Sequence, residues 1–175
     1  MDGFSNAVTQ WWHRHLPKMT LVMLMLMIVA TVFIFIRTTA IEREARAEAT
    51  AVIDILSELR DVVRTGVDAE TGSRGYLLTE DATFLEPYDR ARKIWLSDID
   101  RLKVKFELVD EPESVLATQR IHALAVKKLD FMDNIVTLTK KGQSDVAIAE
   151  TKTKYGKLLL DNIRDIVREL EMKER

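Results

Sequence analysis

The chain has 175 residues, with 26 Lys and Arg against 28 Asp and Glu, which gives a formal net charge of -2. Such a balance argues against a dedicated nucleic-acid binder, because a nucleic-acid binder would carry a basic surface stripe. The chain contains no cysteine, so disulfide scaffolds, thiolate metal sites and thiol catalysis are excluded. Six glycines and three prolines are few for a turn-rich all-β fold.

An apolar run near the amino terminus predicts a membrane helix. Residues 19–36 read MTLVMLMLMIVATVFIFI and include no charged side chain. As an α-helix they would span about 27 Å, close to the hydrocarbon thickness of a bilayer. A cleaved signal peptide is the alternative, but this run is longer than a signal peptide's apolar region, and the nearest small-x-small sites, at 45–49, lie too far along. We therefore predict an uncleaved membrane helix at 19–36, after a tail of residues 1–18.

The flanking residues leave the orientation of this helix open. Trp11 and Trp12 precede it, as aromatic residues at the membrane interface often do. Basic residues stand on both sides of the run in nearly equal number, so the positive-inside rule does not decide which end is cytoplasmic. The tail is too short to be a domain, and nearly all function must lie after Ile36.

Beyond the run, apolar residues recur at helical spacing. No Gly or Pro occurs between Met19 and Thr65, so the membrane helix should continue into a first amphipathic helix that ends near Thr79. A second helix should begin near Thr83, which forms a capping box with Glu86. Short connections make neighbouring helices antiparallel, which predicts an up-down-up-down four-helix bundle. The second, third and fourth helices are predicted at about 83–109, 112–141 and 144–175, and the whole bundle at 37–175.

Residues 68–88, DAETGSRGYLLTEDATFLEPY, are the most distinctive part of the chain. Glu70 and Arg74 are four residues apart, so on a helix they can form an ion pair, or they can hold a ligand's carboxylate or phosphate. Gly72 and Gly75 would let another helix approach closely. Aromatic rings at helical spacing can line a ligand site or simply pack in the core. The candidate ligand-binding residues are Glu70, Arg74, Tyr76 and Tyr88, with a structural salt bridge and core packing as the alternatives.

The same segment resembles the third type of CHASE domain, a family of extracytoplasmic sensory modules. The resemblance rests on residues 70–79, ETGSRGYLLT, followed by Asp81 and by residues 84–88, FLEPY. It extends more loosely over residues 37–175. Ser73 and Glu80 depart from the family's usual pattern, in which Gln and Gly are common, and the second departure falls in the turn between helices one and two.

The resemblance implies a four-helix sensory bundle without enzymatic activity, normally joined through a second membrane helix to a histidine kinase, cyclase or chemoreceptor output. It places residues 37–175 in the periplasm or outside the cell, and the tail in the cytoplasm, on a single-pass inner-membrane protein. No ligand is implied for the family as a whole. The chain also lacks the motifs of phosphate-binding loops, hydrolases and zinc proteases, so neither catalysis, a cofactor nor a metal site is expected.

Two classes of function follow from these observations. The first is a signal-input module that regulates a histidine kinase or similar output, either in cis within a longer protein or in trans as a separate regulator. The second is a non-sensing scaffold that binds a membrane partner through its bundle. The expected partners are the membrane, a second copy of the chain in a homodimer, a signalling membrane protein and a small ligand, but no nucleic acid.

Overall fold

The computed structural model describes the backbone of residues 3–174 and the side chains of residues 18–39 and 49–174. The predicted interfacial residues Trp11 and Trp12 lie outside the described side chains. Residues 3–174 contain helices but no strand, which confirms the all-α prediction. The elements are α1 (Gly3–Thr79), a 3₁₀ turn (Ala82–Phe84), α2 (Leu85–Leu108), α3 (Pro112–Lys140), α4 (Ser144–Lys152) and α5 (Tyr155–Lys173).

The chain divides into two units, Met1–Thr50 and Ala51–Arg175. In the described part of the first unit, the segment Lys18–Thr39 is long and apolar enough to cross a membrane, with a mean hydropathy of 2.8 and none of it buried. The Thr31 hydroxyl donates to the Met27 carbonyl at 2.7 Å, and that of Thr39 to the Phe35 carbonyl at 2.9 Å. These hydroxyls are thus satisfied within their own helix, as an apolar surrounding requires.

The second unit is a bundle of antiparallel neighbours. Along α1 and α2 the contacts run in opposite directions, because Gly72 lies against Phe84 whereas Gly66 lies against Trp95. The same ordering holds between α2 and α3 and between α3 and α5. The pairs that define it are Tyr88–Asp133 and Asp100–His122 for α2 and α3, and Lys128–Gly156 and Ser114–Lys173 for α3 and α5.

Trp95 lies in the centre of this bundle and is fully buried. Its indole N–H donates to the Val62 carbonyl of α1 at 2.8 Å, so the buried polar atom of the ring is satisfied. A methyl group at Gly66 would lie 2.5 Å from the indole ring, which explains why glycine stands in the apolar stripe of α1. Trp95 belongs to one core cluster, whose other buried members include Leu59, Ile99, Leu102, Phe106, Ile121, Ala125 and Ile163.

The predicted fourth helix is interrupted, and the expectation of a single helix there is wrong. α4 and α5 are separated at Thr153 and Lys154, where Lys154 adopts the left-handed conformation with φ of 62°. At about 100° per residue, Ala147 and Gly156 would face opposite sides of one continuous helix. Both are buried, so the break turns each of these two faces toward the core.

The start of α2 also differs from the predicted capping box. The N-cap residue of α2 is Phe84, which makes no side-chain cap hydrogen bond. Asp81 caps the preceding 3₁₀ turn: its carboxylate accepts the Thr83 N–H at 2.9 Å and the Thr83 hydroxyl at 2.8 Å. Because both hydrogen bonds favour the charged carboxylate, they hold the pKa of Asp81 below its ordinary value. Glu86 pairs instead with Arg90 at 2.8 Å on the exposed side of α2.

Candidate functional site

The last turns of α1 carry the distinctive segment, and its glycines permit a close approach of the following chain. A methyl group at Gly72 would lie 2.6 Å from the backbone carbonyl oxygen of Phe84. A methyl group at Gly75 would collide with the Phe84 ring. The predicted close approach of another helix is present at Gly72, where a methyl group would also lie 3.4 Å from the Tyr88 backbone nitrogen of α2. At Gly75 the neighbour is instead Phe84 of the 3₁₀ turn.

The two departures from the family pattern fit this local structure. Ser73 is buried and donates its hydroxyl to the Glu70 carbonyl at 3.0 Å. Glu80, which stands where Gly is common, has φ of 56° and so keeps the left-handed conformation that glycine adopts freely. Its carboxylate accepts the Ser144 hydroxyl at 3.0 Å. The turn is therefore retained, at a strain of about 1 kcal/mol for a residue with a side chain.

The ion pair between Glu70 and Arg74 is present, and it has a third member. One Glu70 carboxylate oxygen lies 2.6 Å from the Arg74 guanidinium, and the other accepts from the Lys128 ammonium at 2.8 Å. Lys128 belongs to α3 and its side chain is only 1% exposed. Its ammonium also donates to the Gly156 carbonyl at 2.8 Å. One buried ammonium thus connects α1, α3 and α5.

Burial dominates the protonation of Lys128. Removal from water disfavours the charged amine and lowers its pKa, while the Glu70 carboxylate opposes this shift.

Sequence reasoning missed Lys128, although a signal was available. Its position falls inside the apolar stripe of α3, at the alternating steps of four and three residues made by Ile121, Ala125, Lys128, Met132 and Ile135. A lysine on that seam needs a buried partner.

A small recess lies beside this ion pair. Its cavity volume is about 10 Å³, which leaves room for about one water molecule. The recess is lined by side chains from four helices: Glu70, Ser73 and Arg74 of α1, Lys128, Phe131, Met132 and Ile135 of α3, Thr151 of α4, and Gly156 and Lys157 of α5.

The two candidate tyrosines lie elsewhere in the core. The Tyr88 ring is 2% exposed, and its hydroxyl donates to the carboxylate of Asp133, which also lies 3.2 Å from the Arg92 guanidinium. Burial raises the pKa of Asp133. Tyr76 is 9% exposed and belongs to the main core cluster. The structure thus brings Glu70 and Arg74 together but not the tyrosines with them, and ligand binding by any of the four stays a prediction.

An apolar amino-terminal helix followed by a helical bundle is typical of a single-pass membrane protein. The family model of the CHASE3 domain matches residues 45–175, and the chain belongs to this family. The resemblance found in the sequence is thereby confirmed. CHASE3 domains are extracellular sensory domains of signalling proteins and are not catalytic. Neither the curated proteins nor the solved structures include a match to this chain.

Proposed function

We propose that this protein is a membrane-anchored sensory module whose bundle receives a signal outside the cytoplasm and regulates a histidine kinase or a similar signalling output. The observation that carries the proposal is the CHASE3 match over residues 45–175, which begins six residues after the apolar segment Lys18–Thr39. In this proposal residues 1–18 are a cytoplasmic tail, 19–36 cross the inner membrane and 37–175 form a non-enzymatic bundle in the periplasm or outside the cell.

The topology is tested with reporter fusions after residue 175 of the full chain. Alkaline phosphatase is active only outside the cytoplasm, whereas green fluorescent protein exported in unfolded form stays dark. Active phosphatase together with a dark fluorescent fusion is expected. A fluorescent fusion with inactive phosphatase would place the bundle in the cytoplasm and overturn the proposal.

Regulation is tested through a tag on the amino-terminal tail. Affinity capture from membranes is expected to recover a histidine kinase or another signalling membrane protein, with an unrelated single-pass protein carrying the same tag as the control. Autophosphorylation of that kinase is then measured in membranes with and without this chain. Unchanged autophosphorylation would reject regulation in trans, and a kinase encoded in the same reading frame would identify regulation in cis.

A homodimer is part of the proposal, because two-fold pairing is the commonest assembly and the apolar segment exposes its side chains along its described length. The chain has no native cysteine, so single cysteines report contacts without background. Substitutions at successive positions from Leu21 to Ile36 should give disulfide dimers that recur every three or four residues in native membranes. Equal or absent crosslinking at all positions would contradict pairing through this helix.

A further inference from the structure

An open groove runs between α3 and α5 on the surface of the bundle, with a volume of about 300 Å³. Its floor is apolar, because Leu170 is buried and Ala117 and Ile166 are half-buried, whereas its charged side chains are exposed. The lining residues are Glu113, Ser114, Leu116, Ala117 and Arg120 of α3, and Ile166, Glu169, Leu170 and Lys173 of α5.

The apolar character of this face continues beyond the groove. Leu116 is 56% exposed on α3, and Leu158 and Tyr155 are 57% and 46% exposed on α5. The Tyr155 ring packs edge-on against the Phe131 ring of α3, with 5.8 Å between the ring centroids. Positions at steps of three and four lie on one side of α5 over about 27 Å: 155, 158, 162, 166, 169 and 173. An exposed apolar face of this length suits a protein partner better than a small ligand.

The charges at the two edges of the groove are opposite at matching heights. Ser114 contacts Lys173 at 3.0 Å, and this sets the antiparallel register of α3 and α5. Glu113 therefore lies near the height of Lys173, and Arg120 lies within one helical turn of Glu169. Among the described residues, neither Arg120 nor Glu169 has an ion-pair or hydrogen-bond partner for its side chain. Both charges thus remain available to a partner.

We propose, building on the membrane-anchored homodimer above, that this face binds the same face of a second copy, with α3 of each copy against α5 of the other. Two copies anchored in one membrane are related by a two-fold axis along the membrane normal. With the bundle helices along that axis, each residue keeps its height in both copies. Arg120 then meets Glu169 of the second copy, Glu113 meets its Lys173, and the exposed Leu116 side chains become buried. A face with two acidic and two basic residues in this order is complementary to itself.

The contact is tested with two differently tagged full-length chains that carry one cysteine each, Arg120→Cys in one and Glu169→Cys in the other. The chain has no native cysteine, so a disulfide between the tags reports this pair alone. Oxidation of isolated membranes with copper phenanthroline is expected to join the two tags. Co-expressed Arg90→Cys and Glu86→Cys chains are the matched control and should stay separate, because these residues form an exposed pair on α2 and do not line the groove.

Charge reversal tests whether opposite charges select this face. Lys173 already pairs with Glu111 at 3.0 Å, so Arg120 and Glu169 are the residues to change. Arg120→Glu or Glu169→Arg alone should weaken dimerisation of the full chain in detergent micelles about tenfold, as measured by sedimentation equilibrium. A mixture of the two variants should dimerise like the native chain, because both contacts of the mixed dimer again join opposite charges. Arg90→Glu should leave the dissociation constant unchanged.

Absence of the mixed disulfide, or a mixture that dimerises no better than either variant alone, would overturn the proposal. Protection of Glu169→Cys from a maleimide in native membranes, without the mixed disulfide, would assign this face to a different protein and would overturn it as well. These readouts depend neither on the side of the membrane that holds the bundle nor on a kinase. The reporter fusions and the kinase measurement can therefore succeed where this inference fails.

Discussion

The two members of the buried ion pair should respond very differently to removal of their charge. Glu70→Gln leaves the Lys128 amine, in a position that is 1% exposed, without its carboxylate partner. Breaking a buried pair in this way costs about 3–5 kcal/mol. For a bundle of this size each kcal/mol corresponds to roughly 4 °C, so the unfolding midpoint should fall by about 10–20 °C.

Lys128→Met should cost far less. The Glu70 carboxylate is 13% exposed and keeps the Arg74 guanidinium at 2.6 Å, so it is not left alone. The methionine side chain fills most of the space of the lysine, and the cost of burying an ammonium disappears. We expect a loss of about 1 kcal/mol, and the double variant Glu70→Gln with Lys128→Met should be more stable than Glu70→Gln alone.

The assay is thermal unfolding of the full chain in detergent micelles, followed by far-ultraviolet circular dichroism. Glu86→Gln is the matched control, because Glu86 makes an exposed i,i+4 pair with Arg90 that is worth less than about 0.5 kcal/mol. If Glu70→Gln were no more harmful than Glu86→Gln, or if Lys128→Met were the more harmful member of the pair, the reasoning from burial would be refuted.

Three further outcomes can be measured on the same preparation. Glu80→Gly should raise the free energy of unfolding by about 0.5 kcal/mol, because glycine relieves the left-handed strain. The gain is measured as a higher midpoint in urea unfolding. Gly72→Ala should lower the free energy of unfolding by about 1–3 kcal/mol. The loss should exceed that of Gly75→Ala, because the methyl group at residue 72 meets a backbone carbonyl rather than a movable ring. Equal losses would contradict this reasoning. The hydrogen bond from Ser114 holds the pKa of Glu111 below 4.5, so its stabilisation is present above pH 4.5 and lost on further acidification; Glu111→Gln should flatten that part of the stability profile.

The sequence allowed the helices and the close approach at the glycines to be predicted because both depend on local patterns. Apolar residues at steps of three and four place α2 and α3 within about two residues of their observed limits. Glycine at two nearby positions lowers helix propensity, so the sequence already indicates a packing reason for it. The structure supplies that reason, because the backbone and ring of Phe84 leave no room for a side chain. The pair of Glu70 and Arg74 follows from helical spacing alone.

The features that were missed depend on contacts between distant parts of the chain. Lys128 is 58 residues from Glu70, and no local rule connects the two. The interruption at Lys154 appears only when the burial of Ala147 and of Gly156 is considered together, because each segment alone is compatible with one continuous helix. The sequence is also compatible with a helix cap at Thr83. That Asp81 instead accepts the Thr83 N–H follows only from the geometry of the 3₁₀ turn.

The distinctive segment is therefore best understood as a junction in which each unusual feature has a different physical cause. Phe84 leaves no room for side chains at the glycines, and the left-handed backbone at Glu80 forms the turn. The buried Lys128 ammonium requires the Glu70 carboxylate as its partner. Only the third cause joins distant parts of the chain, because the Glu70 carboxylate pairs with the buried Lys128 ammonium 58 residues away. Glu70 and Arg74 stay predicted ligand contacts, whereas a ligand at Tyr76 or Tyr88 would have to open a packed core.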